Sequence, residues 1–286
     1  TDNAWDEAVW LLLWCLHLPP DRLEPFLDAR LTARERRLVL ELVDRRCRER
    51  VPSAYLTGEA WLRGLRFRAD PRALVPRSLI AEAIEEGLEH WLPDEPPRAV
   101  LDLCTGGGSL AVLAALRFPQ SRIDAADLSP QALALARENL ALHHLADRVE
   151  LHEGDLFAPL AGRRYDLIFS KFVMEHVRRA DVAYRNMHAM LNPGGVCINL
   201  HPTLFSPPYL VNLVIPEHWA ARVLRRFHPR RHDGDIPKFP AYYRLCRSTD
   251  GVRRAIQGIG FQDVHIVPIY GHGYFQRIPI LREIDA

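Results

Sequence analysis

The residues best suited to chemistry are a glycine run and three aspartates in the middle of the chain. A buried strand predicted over Ala99–Cys104 leads into Gly106–Gly108, and a helical pattern follows. Glycine at such a turn lets the backbone bend tightly and approach a ligand without a Cβ clash. Asp102 precedes the glycines, Asp127 ends the next predicted strand, and Asp155 follows the third. Carboxylates after successive strands predict a ligand-binding edge of a sheet.

The order of these carboxylates indicates a ligand with a cationic end, a ribose and an adenine. Asp102 suits the amino acid portion, Asp127 the two ribose hydroxyls, and Asp155 the adenine amino group. The glycine turn alone, completed by Ala111, also fits a dinucleotide-binding turn. A pyrophosphate would be repelled by Asp102, so S-adenosyl-L-methionine is the predicted cofactor. Any one of these aspartates alone would fit a helix cap or a turn equally well.

Alternating strand and helix patterns must position these residues. This alternation predicts an α/β fold: a Rossmann-like, open, mostly parallel seven-stranded sheet with helices on both faces. Strands are predicted at Ala99–Cys104, Arg122–Leu128, Arg148–His152, Tyr165–Ser170, Val196–Leu200, Phe261–Pro268 and Tyr274–Leu281. Helices are predicted at Ser109–Phe118, Pro130–His143, Arg178–Met190 and Gly251–Gly258, with a turn at Asn192–Gly195.

The remaining segments divide the chain into three parts. Residues 1–52 read as a small helical domain, 53–75 as a hairpin linker, and 76–286 as the cofactor-binding domain with an inserted lid at 202–250. Seven arginines lie between residues 34 and 50. They fit either a solvated helix face balanced by glutamates or a docking surface for RNA or a ribosomal protein.

Composition narrows the class of protein. A formal net charge of +1 does not predict direct nucleic-acid binding. The five cysteines form no CxxC pair, so neither a disulfide framework nor a metal site is expected, and the cytoplasm is the predicted location. The apolar run at residues 9–16 is shorter than the roughly 20 residues of a membrane span. Because the chain begins with Thr1, we interpret it as processed or truncated.

Residues 1 to about 170 resemble the bacterial ribosomal-protein N5-glutamine methyltransferases of the HemK/PrmB type. The resemblance is carried by motifs spread over this half of the chain: the segments 1–8, 50–59, 74–78, 101–108 and 165–168. It implies a helical N-terminal domain that docks the substrate, a hairpin linker and a catalytic domain, with a ribosomal protein as partner. Members of that family usually have further residues before the segment matching Thr1.

The resemblance ends after the fourth predicted strand. There the family has Asn-Pro-Pro-Tyr, whose oxygen acceptors bind the glutamine amide, but here Ser170 is followed by Lys171 and Phe172. Residues from about 170 onward are instead similar to UbiE-like small-molecule methyltransferases. That similarity rests on the segments 172–177, 190–195 and 258–261, and it implies a small-molecule acceptor.

The glycine and aspartate pattern and the two family resemblances together predict the site residues. The predicted cofactor-binding set is Asp102, Thr105, Gly106, Gly107, Gly108, Asp127, Leu128, Asp155, Leu156 and Ser170. The predicted catalytic residues are Glu175 and His176, with a helix-capping role as the alternative for His176. The predicted substrate-contacting residues are Pro76, Arg77, Tyr242 and Tyr243, the tyrosines equally fitting a hydrophobic core under the lid.

Three functional classes remain open on the sequence. The favoured one is an S-adenosyl-L-methionine-dependent methyltransferase acting on a ribosomal protein or a small molecule. The second is a protein that binds the cofactor without glutamine activity. The third is a nicotinamide-dependent oxidoreductase, against which Asp102 and Asp155 argue because they would face phosphates.

Overall fold

The computed structural model describes residues 4–19, 22–76, 79–86, 88, 91–92, 95–158, 160, 162–203 and 241–268. The chain divides into two compact units. The first comprises Thr1–Leu88, Thr105–Pro119 and Ser129–Glu153. The second comprises Glu89–Cys104, Gln120–Leu128 and Gly154–Ala286.

The first part of the chain is helical, followed by a hairpin. Its elements are α1 (Ala4–Cys15), α2 (Ala33–Asp44), a π-helical turn (Arg45–Glu49), α3 (Ser53–Thr57), β1 (Glu59–Leu62), β2 (Leu65–Arg68) and α4 (Leu79–Glu85). Helix α2 begins at a capping box in which Thr32 and Glu35 bond each other's backbone N–H. Leu11, Leu42 and Leu56 form the small core beneath these helices.

Apolar strands build one five-stranded sheet of order β5–β4–β3–β6–β7. The strands are β3 (Ala99–Leu103), β4 (Arg122–Asp127), β5 (Val149–Glu153), β6 (Tyr165–Lys171) and β7 (Leu191–Leu200). The helices among and after them are α5 (Ser109–Arg117), α6 (Pro130–Leu142), α7 (Ala180–Met190) and α8 (Asp250–Gln257). The predicted α/β fold with a mostly parallel sheet is therefore confirmed.

Strand β3 lies at the centre of this sheet and is buried along its whole length. It pairs in parallel with β4 and with β6, so that Asp102 lies opposite Ala125 on one side and Phe169 on the other. Parallel strands end at the same edge of a sheet. The carboxyl ends of β3, β4 and β6 consequently lie side by side.

Three sequence-based expectations need correction. Phe261–Pro268 is not a strand; of this stretch, Phe261 packs edge-on against Tyr184 and His188 instead. The turn expected at residues 192–195 is an irregularity within β7, which accommodates the extra residues as a bulge against β6. The described part of the sheet has five strands rather than seven. The seventh predicted strand, 274–281, and most of the lid, 204–240, lie outside the described residues.

Candidate functional site

The three predicted aspartates lie at or just beyond strand ends within the second unit. Asp102 is buried near the end of β3. Asp127 is the last residue of β4, and its carbonyl accepts a hydrogen bond from the Gly154 N–H at 3.1 Å. That bond fixes the segment from Gly154 onward beside the end of β4. Asp155 is exposed, and one of its carboxylate oxygens accepts the Phe157 N–H at 3.0 Å.

Cys104 shows that these carboxylates converge. Burial, together with the negative charges of Asp127, Asp102 and Asp155, raises the pKa of its thiol to about 12. All three carboxylates therefore act on one sulfur atom at the end of β3. Cys104 itself has a φ of 62°, so the chain turns sharply directly after the strand. Such a cluster of acceptors fits a ligand that offers an ammonium group, ribose hydroxyls and an amino group.

The apolar members of the predicted cofactor set differ in exposure. Leu128 is 65% exposed beside Asp127, whereas Leu156 is buried after Asp155. An exposed leucine at a strand end offers a surface on which a flat ring can pack. The buried Leu156 belongs to the main core of the second unit.

Ser170 is buried near the end of β6 and belongs to a cross-strand pair. Its hydroxyl donates to Asn199 Oδ1 on β7 at 2.6 Å. Asn199 in turn donates to the sulfur of Cys197 at 3.3 Å. The side chain of Ser170 is thus engaged within the sheet, and Asn199 is a polar residue at this edge that the sequence analysis missed.

The glycine turn belongs to the first unit. Gly106 and Gly108 have φ values of 58° and 77°, a conformation that favours glycine. The Gly108 N–H donates to the Thr105 carbonyl at 3.1 Å, and Thr105 is buried. A Cβ at Gly108 would lie 3.0 Å from the Cβ of Ala136 on α6. The glycines therefore allow both the turn and close packing of α6 against it.

Asn139 on α6 holds this turn and was missed by the sequence analysis. Its side-chain amide donates to the Gly107 carbonyl at 2.8 Å and to the Arg68 carbonyl at 3.3 Å, and its oxygen accepts the Arg68 N–H at 2.7 Å. Asn139 is completely buried. The available signal was a polar residue at helical spacing from the apolar residues that form the buried face of α6. It links the hairpin to the glycine turn.

Glu175 and His176 lie in a short 3-10 helix, Met174–His176, after β6. Glu175 is only 4% exposed, and its Oε2 atom is buried without a hydrogen-bond partner among the described residues. Burial raises the pKa of this carboxyl group. His176 Nε2 lies 3.8 Å from Glu175 Oε1, and its side chain is 41% exposed. The pair combines a buried carboxyl with an accessible imidazole.

Tyr242 and Tyr243 lie against the same segment. Both donate backbone N–H groups to the Glu175 carbonyl, at 2.7 and 3.1 Å. Tyr243 is buried in the core, whereas Tyr242 is 40% exposed. Of the other two predicted substrate residues, Pro76 is buried in the first unit. Arg77 lies outside the described residues.

A third buried acidic residue, Asp124 on β4, is bonded by two side chains of the second unit. It accepts hydrogen bonds from Arg163 at 2.9 Å and from the Tyr165 hydroxyl at 2.8 Å. Burial and the bond to Asp124 raise the pKa of Tyr165. No local sequence pattern indicates this network, because its members are far apart along the chain.

The arginine-rich stretch is partly neutralised. Arg46 bonds Glu7 at 2.9 Å, Arg48 pairs with Asp44 at 2.6 Å, and Arg45 pairs with Glu49 at 3.6 Å. These contacts favour the solvated, charge-balanced reading of the stretch. Among the helices that the structure describes, none is long and apolar enough to cross a membrane.

Comparison with known proteins agrees with the N-terminal resemblance. The chain is 57% identical over 170 residues to a ribosomal protein uL3 glutamine methyltransferase of Bordetella pertussis, covering 59% of this chain and 57% of that protein. It is 52% identical over 178 residues to the protein of the same name from Burkholderia pseudomallei, covering 59% and 58%. The chain thus spans little more than half the length of these curated relatives.

A solved structure and a family model complete the comparison. The structure of PigF with SAH has a TM-score of 0.46 and 22% identity, covering 66% of this chain and 52% of that chain. Residues 101–197 match a family model described as a methyltransferase domain. The matched segment begins in β3, contains the glycine turn and all three aspartates, and ends in β7. Residues 101–197 are therefore similar in sequence to a methyltransferase domain.

Proposed function

We propose that this protein is an S-adenosyl-L-methionine-dependent methyltransferase. The observation that carries the proposal is that Asp102, Asp127 and Asp155 all lie at or just beyond strand ends in the second unit, with the Gly154 N–H bonded to the Asp127 carbonyl. Asp102 would bind the ammonium group of the cofactor, Asp127 the ribose hydroxyls, and Asp155 the adenine amino group. Leu128 would pack against the adenine ring. When bound, the cofactor supplies a methyl group on a cationic sulfur.

We propose a ribosomal protein as the methyl acceptor. The support is the identity with the uL3 glutamine methyltransferases over more than half of the chain. In such a reaction the acceptor nitrogen bonds to the methyl carbon, the carbon–sulfur bond breaks, and its electron pair remains on sulfur. The nitrogen loses one proton. Positioning the two partners can account for roughly 7–11 kcal/mol of the barrier.

We propose that Glu175 takes over part of the role of the missing Asn-Pro-Pro-Tyr motif. Its unpartnered Oε2 can accept a hydrogen bond from the N–H of the acceptor and hold the nitrogen in place. Its raised pKa makes it a better proton acceptor than an ordinary glutamate. His176, which is accessible and 3.8 Å from Glu175, can pass that proton to water.

The cofactor assignment is tested by the Asp127→Asn variant, which keeps the shape and removes the charge. Loss of charge-assisted bonds to two ribose hydroxyls should weaken S-adenosyl-L-methionine binding about 10- to 100-fold in calorimetry. Asp147→Asn is the control, because Asp147 is exposed after α6. Unchanged affinity in Asp127→Asn would refute the assignment.

The acceptor is tested by incubating the full chain with the cofactor and purified ribosomal protein uL3. Mass spectrometry should locate one added methyl group on a glutamine side chain. An unmodified protein at full cofactor occupancy would exclude this acceptor and would direct the search to small molecules.

The role of Glu175 is tested by Glu175→Gln, with Glu153→Gln as the exposed control. Loss of proton acceptance should lower kcat about 100-fold, while calorimetric affinity for the cofactor should stay unchanged. A variant with normal kcat would show that Glu175 is only a buried core residue.

A further inference from the structure

The first unit contains a cavity that plays no part in the proposed methyl transfer. It has a volume of ≈ 280 Å³ and is lined by Trp10, Trp14, Leu18, Glu59, Trp61 and Arg66. Small-molecule and cofactor sites usually measure about 300–1,000 Å³. The cavity is therefore of the size that takes a single large side chain rather than a cofactor.

Two elements build the walls of this cavity. Trp10 and Trp14 are one turn apart on α1 and so share a face of the helix. Both pack against the core formed by Leu11, Leu42 and Leu56. After α1 the chain turns through His17, whose φ is 55°, and the Leu18 N–H donates to the Leu13 carbonyl at 2.9 Å. This wall is consequently held in place before any ligand binds.

The hairpin supplies the opposite wall. Glu59 and Trp61 are two residues apart on β1 and point to the same face, and Arg66 pairs directly with Trp61 across the hairpin. Trp61 is 48% exposed. Glu59 Oε2 lies 3.5 Å from Arg66 Nη1, and the Arg66 side chain is 54% exposed. The site thus already contains one cation beside its carboxylate.

The chemistry of the lining selects the ligand. The faces of indole rings attract cations, and guanidinium groups stack well on them. Glu59 adds a full negative charge at the wall. Arg66 meets this carboxylate in a long, half-exposed contact, so its guanidinium can be displaced by one that enters more deeply.

We propose that this tryptophan cavity binds an arginine side chain of the protein that is methylated. The inference rests on the proposed function only for the identity of that protein. The cavity itself belongs to the first unit, and its binding can be measured without any methyl transfer. It would anchor the acceptor at a second point, which favours a protein over a small molecule as substrate.

The test uses acetyl-arginine amide as probe and acetyl-citrulline amide as its neutral counterpart, with the full chain. Indole N–H signals in NMR spectra report on the tryptophans, which number six in the sequence. The arginine compound should shift the signals of Trp10, Trp14 and Trp61 saturably and bind about five- to tenfold more tightly than the citrulline compound. Equal binding of both compounds would overturn the proposal.

Two charge variants sharpen the test because their effects have opposite signs. Glu59→Gln should weaken binding of acetyl-arginine amide about tenfold, since the counter-charge is lost. Arg66→Gln should strengthen it, because the internal competitor is removed. Trp5→Leu is the control, since Trp5 lies on the same helix but does not line the cavity. Weaker or unchanged binding in Arg66→Gln would contradict the inference.

The outcomes also separate this site from the proposed reaction. Arginine binding without affinity for S-adenosyl-L-methionine would uphold the cavity and refute the enzyme. Binding of S-adenosyl-L-methionine without a preference for the arginine compound would support the enzyme and refute the arginine site. If both hold, Glu59→Gln should raise KM for the protein acceptor and leave kcat unchanged, as expected for an anchoring contact.

Discussion

Asn139 illustrates how a single residue can hold a loop that carries no side chains of its own. The glycines of residues 106–108 have only backbone groups to offer, so the loop depends on a partner that bonds those groups. Asn139 bonds the Gly107 carbonyl and both backbone groups of Arg68 from a completely buried position. Its side chain therefore has all its strong bonding capacity committed to two chain segments.

Replacing Asn139 should be costly for stability. Asn139→Ala leaves a buried carbonyl and a buried N–H without their partner, so we expect the free energy of unfolding to fall by about 1–3 kcal/mol. Urea denaturation followed by circular dichroism would measure this. Gln131→Ala, at an exposed position of the same helix, is the control. If Asn139→Ala lowered the free energy of unfolding no more than the control does, water would be replacing the hydrogen bonds of the asparagine side chain.

Cysteine reactivity gives a second prediction at this scale. Burial and three carboxylates raise the pKa of the Cys104 thiol to about 12, whereas Cys47 is exposed. The reactive thiolate of Cys104 is then roughly 1,000-fold rarer than that of a free cysteine at neutral pH. Iodoacetamide at pH 7.5 should label Cys47 and spare Cys104, as read by peptide mass spectrometry. Equal labelling would contradict the raised pKa and the burial of the Cys104 thiol.

At the scale of elements, β7 shows how a glycine pair shapes a strand. The bulge at residues 192–195 lies against β6, and a Cβ on Gly195 would come within 2.9 Å of the Tyr165 carbonyl oxygen. That neighbour is backbone and cannot move aside alone. The strand can pair with β6 on both sides of the bulge only because residue 195 has no side chain.

Alanine substitutions at two glycines should therefore affect the free energy of unfolding differently. Gly195→Ala should lower the free energy of unfolding by about 1–3 kcal/mol through overpacking. Gly251→Ala, in the first turn of α8 with its nearest contact at 3.9 Å, should be neutral or raise it by about 0.5–1 kcal/mol. Thermal unfolding compares the pair. Equal destabilisation by both would remove the backbone clash as the reason.

At the scale of the whole molecule, the ionised carboxyl groups make stability depend on pH. Burial acts to raise the pKa of Asp166, but hydrogen bonds from Asn192, Ala99 and Arg98 outweigh it and hold the pKa below its ordinary value. The hydrogen bond from Arg72 likewise lowers the pKa of Glu138 in the other unit. A depressed pKa stabilises the fold above the unfolded-state value, and the gain is lost as pH falls through the folded-state value.

We therefore expect the free energy of unfolding to fall steeply below about pH 4, near the ordinary pKa of carboxyl groups. The carboxyl group of Glu175 affects the free energy of unfolding in the opposite direction. Burial raises its pKa, so the folded state favours its protonated form, and its contribution to stability is lost as pH rises. Asp166→Asn should flatten the acid limb in urea titrations between pH 7 and 3, and the surface variant Asp181→Asn should leave it unchanged. Parallel pH curves for both variants and the parent would contradict this account.

The sheet edge that we propose as the cofactor site consists of elements that local pattern largely predicted. A strand, three glycines, and carboxylates after successive strands are short-range features, and parallel pairing brings such strand ends together whatever the details of packing. The strands from Ala99 to Lys171 were predicted to within two residues for the same reason, whereas β7 begins five residues before its predicted start. The later strand was not: Phe261–Pro268 is apolar enough for a strand, yet Phe261 packs against α7.

What the sequence determined by itself was thus the order of elements and the identity of the carboxylates, since both follow from spacing along the chain. Tertiary structure alone decided which distant side chains meet. It brought Asn139 to the glycine turn and Arg163 to Asp124, and it placed tryptophans of α1 opposite the hairpin. It also left Glu175 buried with an unsatisfied oxygen. Such contacts depend on packing between segments that are far apart in the chain, and no local sequence pattern encodes that packing.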